Sequence, residues 1–228
     1  VAGLAAASSK TRLGAFDSTV RNDGDGVFVG PYAGYRLSPN WLIDGWAGWG
    51  RTDNDTQLSV LTGDFRTTTG FASANLTGGY AFGDYLFRPK LALFYSHSSS
   101  DAFNYTGTLP YAGQIYNITL RVNDNSFDYA TSEVSGDLSR VFATAGGARI
   151  IPALRLGVRY DIERPNDGKI LNSNLDLEST SPWSGSARAA LAVEPQRNLR
   201  FELISGYYSI GRQDVDLWDV RLNAAVSF

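Results

Sequence analysis

The sequence predicts an all-β chain: a single transmembrane antiparallel β-barrel, ten strands preferred and twelve the alternative, with short periplasmic turns and long extracellular loops. Three observations predict it. Apolar residues recur at every second position in segments of roughly ten residues, the period and length of a barrel strand in lipid. The connections between those segments alternate between short and long. No stretch reaches the roughly 20 apolar residues of a membrane-spanning helix.

The strands fall near 11–20, 27–38, 40–52, 67–82, 85–98, 126–143, 149–163, 181–194, 198–211 and 214–228, after an N-terminal periplasmic or lumen segment at 1–10. In the third, Trp41, Ile43, Ala47 and Trp49 alternate with Asp44, Gly48 and Gly50, although Leu42 and Trp46 blur the pattern. Tyr85, Phe87, Leu91, Leu93 and Tyr95 alternate with Arg88, Lys90 and Ser96. Leu154, Leu156, Val158, Tyr160 and Ile162 alternate with Arg155, Gly157, Arg159, Asp161 and Glu163. Trp183, Ala187, Ala189, Leu191 and Val193 alternate with Ser184, Ser186, Arg188 and Ala190. Leu199, Phe201, Leu203 and Tyr207 alternate with Arg200, Glu202, Gly206 and Tyr208. The last strand is the clearest, with Trp218, Val220, Leu222, Ala224, Val226 and Phe228 on one face. In strand geometry such a segment shows one apolar and one polar face.

Ser38-Pro39-Asn40, Gly83-Asp84, Gly146-Gly147 and Pro195–Asn198 are the short turns. Segments 53–66, 99–125 and 164–180 are the long connections, and 21–26 is a shorter polar one. Phe103–Thr108 and Ile115–Val122 are too short to span lipid and read as an external hairpin. An even strand number places both termini on the periplasmic side.

Closure is required because an open sheet edge in hydrocarbon leaves unpaired backbone groups. Trp41, Trp49, Tyr85, Tyr95 and Trp183 sit where aromatic girdles edge an apolar band. A soluble β-sandwich also alternates, but it does not explain these positions or the connection lengths. Facing the lumen are Arg12, Arg36, Arg88, Lys90, Arg155, Arg159, Arg188, Arg200 and Arg221. Opposing them are Asp44, Glu133, Asp137, Asp161, Glu163, Glu202 and Asp219. The signs nearly balance, so these charges read as a paired network that fills space and fixes register, in preference to a selective pore.

Composition excludes several chemistries. The 228 residues hold no Cys and one His, so thiolate metal sites, disulfides and multi-histidine centres are ruled out. A net charge of −3 argues against nucleic acid as a partner. The chain holds no Met, so Val1 is not a start residue and a preceding segment is expected. His97, followed by Ser98, Ser99, Ser100 and Asp101, is the one candidate general base. Its neighbours are adjacent in sequence, whereas working triads assemble from separate elements. It therefore reads as an interfacial polar residue. Asp53-Asn54-Asp55, Asn123-Asp124-Asn125 and Asn166-Asp167 lack a calcium-loop pattern and read as turns. No cofactor, metal or catalytic residue is expected.

Gly30–Gly50 (GPYAGYRLSPNWLIDGWAGWG), the stretch LTGGYAFGDYLFRPKLALFYS within Ala72–Ser96, and Pro152–Asp161 with the last three strands resemble bacterial autotransporter β-domains. The resemblance covers most of 11–228. It implies a translocator barrel in a Gram-negative outer membrane that anchors, and helps export, an N-terminal segment lying outside this chain. It also implies that the alternate apolar residues ending at Phe228 are read by the barrel-assembly machinery. Outer-membrane lipid, lipopolysaccharide and other outer-membrane or periplasmic proteins complete the expected partners. The family barrel usually has twelve strands and a helix in its pore; here ten strands are found, and only Val1–Lys10 could be a helical remnant. A porin-like or structural barrel subunit is the alternative, and an outer-membrane hydrolase using His97 a distant one.

Overall fold

The computed structural model describes residues 1–15, 19–171, 177–196, 198–212 and 216–226. Its strands in chain order are β1 (Ala2–Ala15), β2 (Val20–Ser38), β3 (Trp41–Leu58), β4 (Leu61–Gly78), β5 (Tyr80–Phe82) and β6 (Tyr85–Ser100). Then follow β7 (Phe103–Tyr111), β8 (Gln114–Val122), β9 (Asn125–Arg140), β10 (Phe142–Ala143) and β11 (Arg149–Glu163). A short 3-10 turn at Pro165–Gly168 leads to β12 (Lys169–Leu171), β13 (Leu177–Ser179), β14 (Trp183–Gln196), β15 (Leu199–Ile210) and β16 (Trp218–Val226).

The main sheet follows the order β1-β2-β3-β4-β6-β9-β11-β14-β15-β16, a path of ten strands. The registers of β1 with β2, β9 with β11, β11 with β14, β14 with β15 and β15 with β16 are all antiparallel. Short strands β5 and β10 pair with β6 and β11, and β12 with β13 forms a separate two-stranded sheet. The ten-strand path and the short turns at Pro39-Asn40, Gly83-Asp84 and Gly146-Gly147 match the sequence reading.

Differences lie where polarity stops alternating. Residues 53–66, read as a loop, are the end of β3 and the start of β4, turning at Ser59-Val60. The run 21–26 lies inside β2, where Arg21 pairs with Gly14 and Gly26 with Ser9. Within 99–125, β7 and β8 form the expected hairpin, off the main path. It turns at Ala112 (φ 50°) and Gly113 (φ 79°), the left-handed pair that a two-residue hairpin loop requires. Where both faces of a strand are polar, the apolar period vanishes while the backbone ladder continues. Residues 2–10 show the same effect. Expected as a periplasmic or lumen segment, they belong to β1, which pairs with β2 from Ala2↔Ala33 onward. Small Ala, Gly and Ser side chains gave that strand no apolar period to read.

The chain divides into two compact units. Unit one holds Val1–Ala33, Gly45–Ser73 and Tyr95–Tyr129; unit two holds Gly34–Asp44, Ala74–Phe94 and Ala130–Phe228. In unit one the covered face is neutral and polar, with Asn54, Thr56, Ser96 and Ser98 buried. Thr67 bonds Ser100 at 2.9 Å, and Thr69 bonds Ser98 at 3.0 Å. An aromatic cluster shares that face: Phe71 packs against Trp46 at 4.3 Å and Phe28 at 6.2 Å between centroids. Gly50 makes room for it, since a Cβ there would stand 2.0 Å from the Phe28 ring. Trp46, 39% exposed, keeps the parity of buried Gly50, Asn54 and Thr56 on β3, which is why it interrupts the alternation.

In unit two Leu154, Leu156, Val158 and Ile162 on β11 are exposed, while Asp161 between them is 5% exposed. Ser135, Asp137, Ser139, Ser184 and Ser209 are also buried. Among the described residues, the buried hydrophobic side chains are Ala130, Ala192 and Ile204. A sheet in water covers its apolar face and wets its polar one. Here the polar face is covered and the apolar face exposed.

Candidate functional site

The covered face of unit two carries the charges. Asp137 on β9, 7% exposed, stands opposite Arg155 on β11 in the register. It pairs with Arg155 and with Arg88 of β6 at 3.5 Å each. Asp161 pairs with Arg212. Arg200 reaches Glu194 at 3.1 Å and Glu202 at 3.0 Å, and Glu194 also takes Arg149 at 3.1 Å. Asp219 pairs with Arg221 and accepts a hydrogen bond from the Tyr208 hydroxyl at 3.1 Å. Asp44 accepts one from the Asn75 amide at 2.8 Å. Glu133 and Arg159 are cross-strand partners in the β9–β11 register. Arg36 lies exposed near the end of β2.

Sequence reasoning missed Arg149, Glu194 and Arg212. The first two were reachable, because each keeps the parity of Arg155 or Arg188 on its own strand. Arg212 lies in the connection after β15, where no periodicity signals it. Arg12, expected in the lumen, is on the other face: it stands opposite Asp23, whose parity on β2 is that of exposed Val27 and Val29. The cause is the shifted β1, whose register with β2 could not be read from its own residues.

Unit one places its ion pairs on that exposed face. Arg12 donates to Asp23 at 3.0 Å, and Arg21 pairs with the same carboxylate. Lys10 meets Asp25 at 3.6 Å. Arg66 and Arg51 share Asp53 at 3.1 and 3.2 Å. Both shared carboxylates lie outside the predicted spans 27–38 and 40–52. The hydrogen bond from Arg66, then that from Arg51, holds the Asp53 carboxyl below its ordinary value, and Arg21 with Arg12 does so for Asp23.

His97 lies among exposed side chains, and its partner is Asp128, not the sequence-adjacent Asp101. Its Nδ1 is 3.0 Å from an Asp128 oxygen that also accepts the Tyr95 hydroxyl at 2.6 Å. The pair thus comes from separate strands, but among the described residues no hydroxyl is hydrogen-bonded to His97. No group of three or more potential metal ligands occurs among the described residues.

Of the girdle residues, Trp49 and Tyr95 are exposed in unit one. In unit two Trp41 is half-buried and meets Tyr80 edge-on at 6.2 Å. Tyr85 lies under the Arg140 guanidinium at 5.0 Å, and exposed Trp183 packs on Tyr160 at 4.6 Å. On β16, Trp218, Val220, Leu222, Ala224 and Val226 are all exposed, Leu222 to 77%. Phe228 lies outside the described residues.

The family model for the autotransporter beta-domain matches residues 1–203. The β-domain of the Bordetella autotransporter BrkA superposes with a TM-score of 0.61 at 14% identity, over 100% of this chain and 91% of that one. The translocator domain of the autotransporter NalP from Neisseria meningitidis gives a TM-score of 0.61 at 14% identity, over 92% of this chain and 67% of its own. No curated protein matches the sequence. At this identity the two structures speak for the fold, an autotransporter-type β-barrel.

Proposed function

The chain belongs to the autotransporter β-domain family, and from that premise we propose that this outer-membrane translocator barrel anchors, and helps export, a segment N-terminal to Val1. The observation that carries the reading is the inverted burial. Hydrocarbon is exposed at Leu154, Leu156, Val158 and Ile162 while Asp161 and Asp137 are covered, as suits strands with lipid on one side and a polar lumen on the other. Both termini then lie in the periplasm, where the exposed apolar residues of β16 serve as the signal for the barrel-assembly machinery. Lipid and lipopolysaccharide contact the apolar face and its aromatic edges. The work is conduction and anchoring, and it asks no catalytic step of His97.

The test places a signal peptide and a reporter segment ahead of Val1 and expresses the fusion in a Gram-negative host. Protease added to intact cells is expected to remove the reporter while the barrel stays in the outer membrane. A reporter that remains protected while the barrel is folded and membrane-embedded sinks the export reading.

A further inference from the structure

The sequence suggested lumen charges in near balance; the structure shows a local excess of one sign. On the covered face of unit two lies a cavity of about 240 Å³ whose lining includes Arg88, Lys90, Arg155, Arg188 and Arg200 against Asp137 and Glu202. The two carboxylates are already engaged. Asp137 lies between Arg88 and Arg155, and Glu202 holds Arg200. Lys90 and Arg188 have no ionic or hydrogen-bonding partner among the described residues. Arg188 also stands directly opposite Arg155 in the β11–β14 register. Like charges facing across a strand pair destabilise it unless something of opposite sign lies between them.

We propose that this cavity binds a small multivalent oxyanion of the phosphate or pyrophosphate class, held between Lys90, Arg188 and Arg155. The chemistry of the lining selects the class. Guanidinium groups offer paired donors that match two phosphate oxygens, and the ammonium adds a point charge. Low-dielectric walls focus the field of several cations into one cleft. A water takes about 30 Å³ of liquid, so the cavity has room for a tetrahedral oxyanion with part of its hydration. A monovalent halide carries one charge against two uncompensated cations, whereas a diphosphate carries enough to offset both. The site stands on the cavity alone and does not depend on whether a segment is exported.

The test is calorimetric titration of the full chain, folded in detergent, with inorganic pyrophosphate at low ionic strength. Saturable binding is expected, weakened about tenfold or more in Lys90→Gln and in Arg188→Gln, the scale of one lost charge-assisted hydrogen bond. Arg66→Gln, on the exposed face of unit one, is expected to leave it unchanged. Absent binding, or equal weakening by Arg66→Gln, overturns the proposal. A second readout needs no variant: pyrophosphate should protect Lys90 from an amine-acetylating reagent while Lys10 stays reactive. Equal modification of Lys90 with and without the anion also overturns it.

Discussion

The two units use the same residue types on opposite faces. In unit one the ion pairs (Arg12 and Arg21 with Asp23, Arg51 and Arg66 with Asp53) are exposed, and the covered face carries Ser, Thr and Asn beside the Phe28–Phe71–Trp46 cluster. In unit two Asp137 and Asp161 are covered, Asp161 together with Arg212, and leucine and valine are exposed. Charge count alone therefore says little about what a charge does. An exposed pair exchanges water for a partner at little gain. A covered pair has no water to fall back on, so losing one member strands the other.

The strongest way to break this contrast is to strand a covered charge. In the Asp161–Arg212 pair the two side chains are only 4% and 17% exposed. Asp161→Ala leaves Arg212 without its carboxylate and is expected to cost about 3–5 kcal/mol in unfolding free energy. Urea unfolding of the refolded chain in vesicles measures it. Adding Arg212→Ala should return part of the loss, because the stranded charge goes too. A single variant as stable as the parent would mean that the covered face of unit two is as wet as the exposed face of unit one.

A somewhat smaller effect is expected from placing a charge on the apolar face of unit two. Leu156 is 57% exposed between Leu154 and Val158 on the same face of β11. Leu156→Arg is expected to cost about 2–4 kcal/mol in a bilayer if the residue sits near its midplane. The same change should cost much less in small micelles, where the guanidinium reaches water. Equal costs in the two media would show that this face does not meet hydrocarbon.

Much of this contrast was legible in the residues. Alternation exposed the apolar face of β11 and β16 and placed Arg155, Asp137 and Asp161 opposite to it, because a strand has only two faces and a period of two. It failed in unit one for the same reason. From Arg21 to Gly26 and from Asp53 to Gln57 both faces are polar, so no period remained and paired strands read as loops. Arg12 was lost with them, since its face depends on the β1–β2 register and not on its own neighbours. His97 shows a further limit. Its partner Asp128 is 31 residues away, and only the fold brings the two side chains together.

The smallest expected effect tests the other half of the contrast. Asp53 is shared by Arg51 and Arg66, all three side chains well exposed, so removing one arginine leaves the carboxylate a partner. Arg66→Ala is therefore expected to change unfolding free energy by less than about 1 kcal/mol, and raised salt should shrink even that by screening. The informative comparison is with Asp161→Ala under the same two salt conditions. The exposed cluster should respond to salt and the covered pair should hardly respond, because ions reach the first and not the second. If Arg66→Ala costs as much as Asp161→Ala and is equally indifferent to salt, the exposed face of unit one is covered by something that excludes ions. The difference between the units would then be one of covering partner, and not one of charge placement.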